Sequence, residues 1–323
     1  MVSEPTVDII MATYNGAEYI VEQVESIQRQ SYKNWRLLIS DDCSTDATLN
    51  IVKSISNSDN RIKLISTEVK FGGAMPNFLH ALRESDAPYF MFCDQDDIWL
   101  EDKIKTSVEY ITRLENKFSS DKPAFVSSDM KIVDDNLNLL SSSFMSYEKF
   151  ETNDTSLGHI LVENSVPGCT IIGNASLRKW LSRCSSCDGL IMHDWLVNLI
   201  CKCAGTSSFI NEPTSLYRQH LGQEVGSHKI SFITLVSGFN LHHSRDFWIS
   251  VRKNAEAFLN IYQKYLPNES IEVIEGFIDM FDLNPANRII CAYKHGYLPS
   301  GFSRRLGQMI VFLLTPSSVF KDV

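Results

Sequence analysis

The chain begins with a strand, loop and helix pattern that repeats three times, and this repeat restricts it to a small group of folds. In each unit a short apolar run ends in polar or glycine-rich residues, and apolar residues at helical spacing follow. The pattern predicts strands at 7–12, 35–40, 62–65 and 88–93. Successive units of this kind predict an α/β fold with a mostly parallel, Rossmann-like sheet and helices on both faces.

Beyond the fourth strand the pattern is less regular. The remaining predicted elements are helices at about 100–118, 191–204 and 232–266 and strands at 124–126, 166–172, 207–210 and 214–218. No Pro- or Gly-rich linker marks a boundary between domains. The best division is an α/β domain of residues 1–225 followed by a helical C-terminal region of residues 226–323.

Four loops follow the predicted strands, at the sheet edge where open α/β folds bind ligands. They contain Thr13-Tyr14-Asn15-Gly16, Asp41-Asp42, Gly72-Gly73 and Asp94-Gln95-Asp96-Asp97. Three carboxylates within four residues raise one another's pKa unless a cation lies between them. Carboxylates at this spacing suit Mg²⁺ or Mn²⁺, which prefer oxygen ligands. The alternative is a solvated acidic start to the next helix, where Asp97 would act as a cap.

The charge distribution limits the choice of partners. The net charge of -9 argues against a nucleic-acid partner. From Asn287 to Val323, however, five basic residues accompany one acid, so this tail is positive and the remainder strongly negative. Within the tail, Phe302–Leu314 places Arg304 and Arg305 beside an apolar run, which is typical of a helix lying on a membrane surface. The alternative is a helix that packs on the body or forms a homodimer.

The N-terminus has no basic segment followed by a long apolar one, and no run approaches the roughly 20 apolar residues of a membrane span. We expect a cytoplasmic protein, with peripheral contact to the inner face of the plasma membrane through the tail. Four of the eight cysteines form Cys184-x-x-Cys187 and Cys201-x-Cys203. Because residues i and i+2 of a helix point to different faces, we favour reduced, core-filling thiols over a structural zinc site.

Three motifs, in the same order along the chain, carry a family resemblance. Asp8–Gly16, Ile39–Asp46 and Asp94–Trp99 together look like the family 2 glycosyltransferases of the GT-A fold, over roughly residues 5–220. The motif Asp-Gln-Asp-Asp-Ile-Trp and the downstream Tyr217-Arg218-Gln219-His220 resemble motifs of bacterial rhamnosyltransferases of surface polysaccharide synthesis. The resemblance implies the GT-A fold, a nucleoside-diphosphate sugar donor and a divalent cation.

The resemblance and the loop positions together nominate a set of donor-binding residues. The nominated residues are Thr13, Tyr14, Asn15, Asp42, Gly72, Asn77, Asp94, Gln95, Trp99 and Arg218. Among them, Thr13, Tyr14, Asn15 and Asp42 would hold the nucleobase and ribose, and Asp94 would face the ribose and sugar. Trp99 has an equal alternative as a core residue, and Gly72 has one as part of a simple turn.

The resemblance also assigns the metal and the base. Asp96 would ligate Mn²⁺ or Mg²⁺, with Asp94 beside it and His220 completing the shell; a histidine without metal is the alternative for His220. Asp194, at a predicted helix start, matches the catalytic base of inverting members, and its alternative is an ordinary acid of the first helical turn. Many relatives have Glu where this chain has His193, which leaves the role of that position open.

These assignments predict an inverting transfer of a sugar, L-rhamnose from dTDP-rhamnose, to a hydroxyl of a growing, lipid-linked surface polysaccharide. One alternative is a hexose or N-acetylhexosamine transferase that uses a UDP-sugar, and another is a non-catalytic nucleotide-sugar or glycan-binding module. A phosphatase of the haloacid dehalogenase type would need its Asp-x-Asp near the domain start. A sugar nucleotidyltransferase would need a glycine-rich, basic loop after the first strand, where this chain has Thr13–Glu18.

Overall fold

The computed structural model describes residues 4–66, 69–150, 156–220 and 241–321. Nine strands join in one sheet: β1 Val7–Thr13, β2 Trp35–Asp41, β3 Ile62–Ser66, β4 Tyr89–Cys93, β5 Ile98–Trp99, β6 Ala124–Val133, β7 Leu139–Ser141, β8 Ile172–Asn174 and β9 Thr206–Arg218. The helices of the N-terminal part are α1 Ile20–Gln28, α2 Thr48–Ser58, α3 Ala74–Arg83, α4 Lys103–Phe118, α5 Phe144–Glu148, α6 Leu157–Val162, α7 Ala175–Leu181 and α8 His193–Ala204. Those of the C-terminal part are α9 Leu241–Tyr262, α10 Asn268–Met280, α11 Pro285–His295, α12 Phe302–Leu314 and α13 Ser317–Lys321.

The strands follow the order β3-β2-β1-β4-β8-β6-β9-β5, with β7 paired to β6. The first four in this order are parallel, as the repeated strand and helix units predict. Strand β8 then runs antiparallel to both β4 and β6, whereas β9 is parallel to β6. The architecture is therefore the predicted α/β fold, and the C-terminal ends of β1, β2 and β4 lie side by side at one edge.

Two hydrophobic cores cover the two faces of the sheet. Alternate side chains of a strand point to opposite faces, so Ile9 and Met11 of β1 belong to one core and Ile10 to the other. The parallel strands are buried on both faces and thus read as continuous apolar runs. This burial fixes the strand positions from which the site loops emerge.

The later strands differ from the sequence prediction. Instead of a strand at 166–172, the chain forms a 3-10 turn at Gly168–Thr170 and then the short β8. The two strands predicted at 207–210 and 214–218 are one strand, β9, which continues through Pro213. Pro213 is tolerated because the pairing with β6 shifts register at Asp129, where the regular hydrogen-bond ladder is interrupted.

The C-terminal helices pack on the α/β body. Trp248, Phe258 and Phe312 from this region share one core with Phe78 of α3 and Leu199 of α8. The predicted boundary near residue 225 lies outside the described residues, as does the first part of the helix predicted at 232–266. Among the described residues, no helix is both long enough and apolar enough to cross a membrane.

A buried arginine ties the last helices together. Arg288 of α11 is fully buried and donates hydrogen bonds to the carbonyls of Phe281 and Leu283, at 3.0 Å each, after α10. It also donates to the carbonyls of Phe312 and Thr315 at 3.3 and 3.0 Å, where α12 ends. Helix-end carbonyls lack partners within their own helix, so one guanidinium satisfies several of them at once.

Candidate active site

The loops after β1 and β2 are cross-linked by hydrogen bonds. The amide of Asn15 donates to Ser44 Oγ at 2.8 Å, and Asn15 Oδ1 accepts from the amide of Thr45 at 2.8 Å. Asn15 takes a left-handed backbone conformation with φ of 48°, which asparagine tolerates better than most residues. These bonds hold Tyr14, whose ring is 52% exposed, at the open edge of the sheet.

Gln95 connects the loop after β1 to the loop after β4, residues Asp94–Asp97, which we call the acidic loop. Its Oε1 accepts from the amide of Tyr14 and its Nε2 donates to the carbonyl of Tyr14, both at 3.0 Å. A Cβ at Gly16 would lie 2.1 Å from Gln95 Oε1, so only glycine permits this approach. Since the amide of Gln95 is bonded to the backbone of Tyr14, its position indicates a role in holding the two loops together.

Asp42 shapes the loop after β3. Its carboxylate accepts hydrogen bonds from the amides of Phe71, Gly72 and Gly73, those of Gly72 and Gly73 lying at 3.0 and 3.1 Å. Gly72 has a φ of 78°, a conformation that glycine adopts without steric cost. Nearby, Asn77 donates to the carbonyl of Ser40 at 3.0 Å, and its buried Oδ1 has no protein partner.

The acidic loop gathers carboxylates whose charges are incompletely compensated. Potential ligand atoms of Asp94, Asp97 and Cys169 all lie within 4.8 Å of one another. Burial, followed by the charges of Asp97, Asp96 and Asp194, raises the pKa of Asp94 well above its ordinary value. Burial and the charge of Asp96 raise the pKa of Asp97 to about 7. Such shifts identify a group in which negative charges repel one another with little water to screen them.

His220, just after β9, lies against this loop. Its Nε2 is 2.9 Å from Asp96 Oδ2, although the two residues are far apart in sequence. Its ring also packs on that of Tyr19, with 4.5 Å between centroids. Arg218 donates from Nε to the carbonyl of Asp96 at 3.0 Å and pairs with Glu22. These contacts give Arg218 a role in supporting the acidic loop.

The residues present fit a hard divalent cation. Among the described residues, the buried Asp97 Oδ2 has no hydrogen-bond partner, and burial together with neighbouring carboxylates raises the pKa values of Asp94 and Asp97. Carboxylate oxygens from this loop and an imidazole nitrogen from His220 form a donor set that Mn²⁺ accepts, and the oxygens alone suit Mg²⁺. Burial raises the pKa of the Cys169 thiol well above its ordinary value, so the thiol stays protonated beside these carboxylates.

The prediction that Asp97 caps the following helix is wrong. Helix α4 begins at Lys103, and the residue at its N-terminal boundary is Asp102. Asp97 is instead fully buried, with Oδ1 3.4 Å from the amide nitrogen of Arg218. The short strand β5, Ile98–Trp99, intervenes and pairs with β9, which moves the helix start away from the acidic loop.

Trp99 lies in the core, which is the alternative that the sequence left open for it, and its contact with the donor stays a prediction. Its side chain is 3% exposed and packs in the core that contains Ile104. The Nζ of Lys103 lies 5.0 Å from the centroid of the Trp99 ring and donates to Thr214 Oγ1 at 3.0 Å. Lys103 is almost fully buried near Asp97 and was not recognised from sequence, since nothing local distinguishes it from a surface lysine.

Asp194 lies in the first turn of α8, as predicted. Its Oδ1 accepts from the amide of Trp195 at 2.6 Å, and the Gly168 amide and the Asn164 side chain are near enough to lower its pKa. Burial raises its pKa to about 7 despite these groups. Its charge contributes to the raised pKa of Asp94, and a carboxyl with a pKa of about 7 is suited to proton transfer.

His193 points into the protein interior. Its ring centroid is 4.3 Å from that of Phe78 and 4.5 Å from that of Phe92, and neither ring nitrogen has a hydrogen-bond partner in the part of the chain that the structure describes. Burial lowers its pKa to about 3, so the imidazole is neutral. A Cβ at Gly168 would lie 2.5 Å from His193 Nε2. His193 therefore packs against Gly168, whose amide lies beside Asp194, and we expect it to act on the base through packing.

Comparisons with known proteins agree with this geometry. The family profile described as Glycosyl transferase family 2 matches residues 8–173. The dTDP-rhamnosyl transferase RfbG of Shigella flexneri is 33% identical over 258 residues, which cover 76% of this chain and 84% of RfbG. The UDP-Glc:alpha-D-GlcNAc-diphosphoundecaprenol beta-1,3-glucosyltransferase WfgD of Escherichia coli is 31% identical over 166 residues, which cover 51% of this chain and 58% of WfgD.

Solved structures share the fold at low sequence identity. TarS of S. aureus, residues 1–349 in complex with UDP, superposes with a TM-score of 0.54 at 18% identity, and the match covers 98% of this chain and 90% of that one. The mannosyltransferase PcManGT of Pyrobaculum calidifontis, in complex with GDP-Man and Mn²⁺, gives 0.51 at 13% identity, covering 99% and 86%. The fold thus extends over the C-terminal helices as well as the α/β body.

Proposed function

Because the chain belongs to glycosyl transferase family 2, we propose that it is a metal-dependent, inverting enzyme that transfers a sugar from a nucleoside diphosphate to a hydroxyl of a polysaccharide under construction. The observation that carries this proposal is that two adjacent residues adjoin the two groups: Cys169 lies within 4.8 Å of ligand atoms of Asp94 and Asp97, and the Gly168 amide lies beside Asp194. A carboxyl base and a cation-binding group at close range are the two parts that such a transfer needs.

In this proposal each part has a separate task. Bound Mn²⁺ or Mg²⁺, held by Asp96 with Asp94 and His220, would act as a Lewis acid that stabilises the departing diphosphate. Asp194 accepts the proton of the acceptor hydroxyl as that oxygen attacks the anomeric carbon from the side opposite the diphosphate. The bond from the Trp195 amide fixes the orientation of the carboxyl.

The donor side lies on the β1 and β2 loops. Tyr14, with its exposed ring, and Asn15 offer stacking and hydrogen bonding to a nucleobase. Asp42 shapes the Gly72–Gly73 turn by accepting hydrogen bonds from its amides, and we place the ribose beside this turn. Thr13 donates a hydrogen bond to Asp41 at 2.8 Å, so it supports the ends of β1 and β2 from which these loops emerge.

We propose dTDP-rhamnose as the donor, on the similarity to RfbG over most of both chains. The similarity to WfgD favours a second candidate, a UDP-hexose, and also suggests a diphosphate-linked lipid as the acceptor carrier. Family membership, with Asp96 and Asp194 both present, argues against a non-catalytic binding module, and it decides against the phosphatase and nucleotidyltransferase alternatives.

The test measures release of nucleoside diphosphate from dTDP-rhamnose and from UDP-sugars, with Mn²⁺ or Mg²⁺ and then with EDTA. We expect turnover of one donor class that EDTA abolishes. Asp194→Asn should reduce transfer by about 10²- to 10⁴-fold while donor binding, followed by thermal shift, is retained. Asp121→Asn, an exposed site in the same protein, is the matched control. Metal-independent turnover, or Asp194→Asn transfer within a few fold of the parent, would refute the assignment.

A further inference from the structure

Helix α12 has two different apolar sides. One side buries Val311 and Phe312 in the core. The other carries Phe302, Leu306, Met309 and Leu313, spaced i, i+4, i+7 and i+11, which places them in one stripe along the helix. Phe302 is 82% exposed and Leu313 is 54% exposed, so this stripe faces outward although the helix packs on the body.

Helix α11 extends the stripe into a patch. Ile290 and Tyr293, one turn apart, are exposed, and Tyr293 Oη lies 3.2 Å from Met309 Sδ of α12. We call the six residues Ile290, Tyr293, Phe302, Leu306, Met309 and Leu313 the apolar face. Scattered exposed apolar residues are common, but a contiguous patch on neighbouring helices marks an interaction surface.

The segment that carries the apolar face contains basic residues and no acid. From Leu283 to Lys321 the sequence contains no Asp or Glu. The exposed Lys294 follows Tyr293 directly, and Arg305 precedes Leu306. Two cations of the tail do not contribute here: Arg288 is buried, and Arg304 pairs with Glu148 and Glu163 of the body. The apolar face is therefore accompanied by Lys294 and Arg305, and residues 283–321, which carry it, include no Asp or Glu.

The apolar face begins close to the acceptor side of the active site. Arg304 Nη1 lies 3.3 Å from Glu163 Oε1, and the amide of Ser300 donates to Glu163 Oε2 at 2.9 Å. The next residue, Asn164, is near enough to Asp194 to lower the pKa of that carboxyl. The start of α12 is therefore connected to the neighbourhood of the proposed base through two adjacent residues, Glu163 and Asn164.

We infer that the apolar face docks the enzyme on an anionic lipid bilayer, with the six side chains at the level of the headgroups and the basic residues against lipid phosphates. This inference rests on the proposed function, since a lipid-linked acceptor brings the reaction to a membrane surface. In an anionic bilayer the acyl chains can accept the apolar side chains, and the negatively charged headgroups can attract the basic residues. A second copy would set like charges of this acid-free segment against each other across a two-fold interface.

The experiment is flotation of the full chain with vesicles of phosphatidylcholine alone and with added phosphatidylglycerol, without donor or acceptor. We expect binding that rises with phosphatidylglycerol and weakens with salt. Phe302→Ser/Leu313→Ser should bind at least about tenfold more weakly, because two exposed apolar side chains no longer insert. Val21→Ser/Phe118→Ser removes two exposed apolar residues elsewhere and should bind like the parent.

Both variants should release nucleoside diphosphate from the donor in solution at the parental rate, which separates docking from catalysis. If the parent lacks this turnover but still floats, the proposed function fails and the docking surface stands. Unchanged flotation of Phe302→Ser/Leu313→Ser overturns the inference. It is equally overturned if the parent ignores anionic vesicles and forms a dimer in solution that this variant loses.

Discussion

Changing the pH tests the proposed base directly, because burial raises the pKa of Asp194 from 3.8 to about 7. A carboxyl with that pKa is ionised to roughly 90% at pH 8, 50% at pH 7 and 10% at pH 6. Only the ionised form accepts the proton of the acceptor, so the transfer rate should rise about tenfold between pH 6 and pH 8. The assay is the initial rate of transfer at saturating donor, acceptor and Mn²⁺.

The same shift has a consequence for folding stability. A change from 3.8 to about 7 corresponds to at most roughly 4 kcal/mol in favour of the protonated folded state. Because the folded pKa is the higher one, this stabilisation is present below the unfolded pKa and is lost as pH rises through the folded pKa. Asp194→Asn should therefore gain stability over the parent at pH 8, by urea denaturation, and gain nothing at pH 4.

Protonation of metal ligands can also slow the enzyme at low pH, and a metal titration separates the two causes. Metal ligands compete with protons, so an acid limb that belongs to them moves as the Mn²⁺ concentration increases. An acid limb that belongs to Asp194 stays in place. A transfer rate at pH 6 within twofold of that at pH 8 would refute the argument from burial, as would an Asp194→Asn variant that is no more stable at pH 8.

Three further predictions concern the groups around the base. Lys103→Met should lower the free energy of unfolding in urea by about 3 kcal/mol, because buried Asp97 loses its counter-charge. Adding Asp97→Asn should restore most of the lost stability. A loss below about 1 kcal/mol for Lys103→Met would contradict the prediction. His220→Ala should weaken Mn²⁺ binding by about tenfold in a thermal-shift titration, and unchanged affinity would remove His220 from the metal shell. Gly168→Ala should slow transfer without weakening donor binding, and adding His193→Ala should recover the rate if the clash with that ring is the cause.

The sequence was sufficient for features that depend on local pattern and topology. The four parallel strands appear as buried apolar runs, and parallel pairing alone brings the loops after them to one edge. That is why Asp42 and Asp94 could be expected at a common cleft. The approach of His220 to Asp96 follows from the resemblance, and no local signal on either residue predicts it.

Other features depend on contacts between distant segments. Helix α5 lies in a Ser-rich stretch without helical periodicity, and it begins where Asp129 of β6 accepts hydrogen bonds from the amides of Phe144 and Met145. The inward direction of His193 depends on the space between Phe78 and Phe92. Such roles are decided by packing in three dimensions, which one sequence does not display.

The buried Arg288 has a consequence for how this protein can be divided or recombined. Its guanidinium serves backbone carbonyls at the ends of two different helices, so a chain cut before α12 would leave a buried cation facing missing partners. The C-terminal helices are therefore not a detachable anchor. Chimeras between relatives should exchange α10 to α13 as one block, and only the outward stripe is open to independent variation.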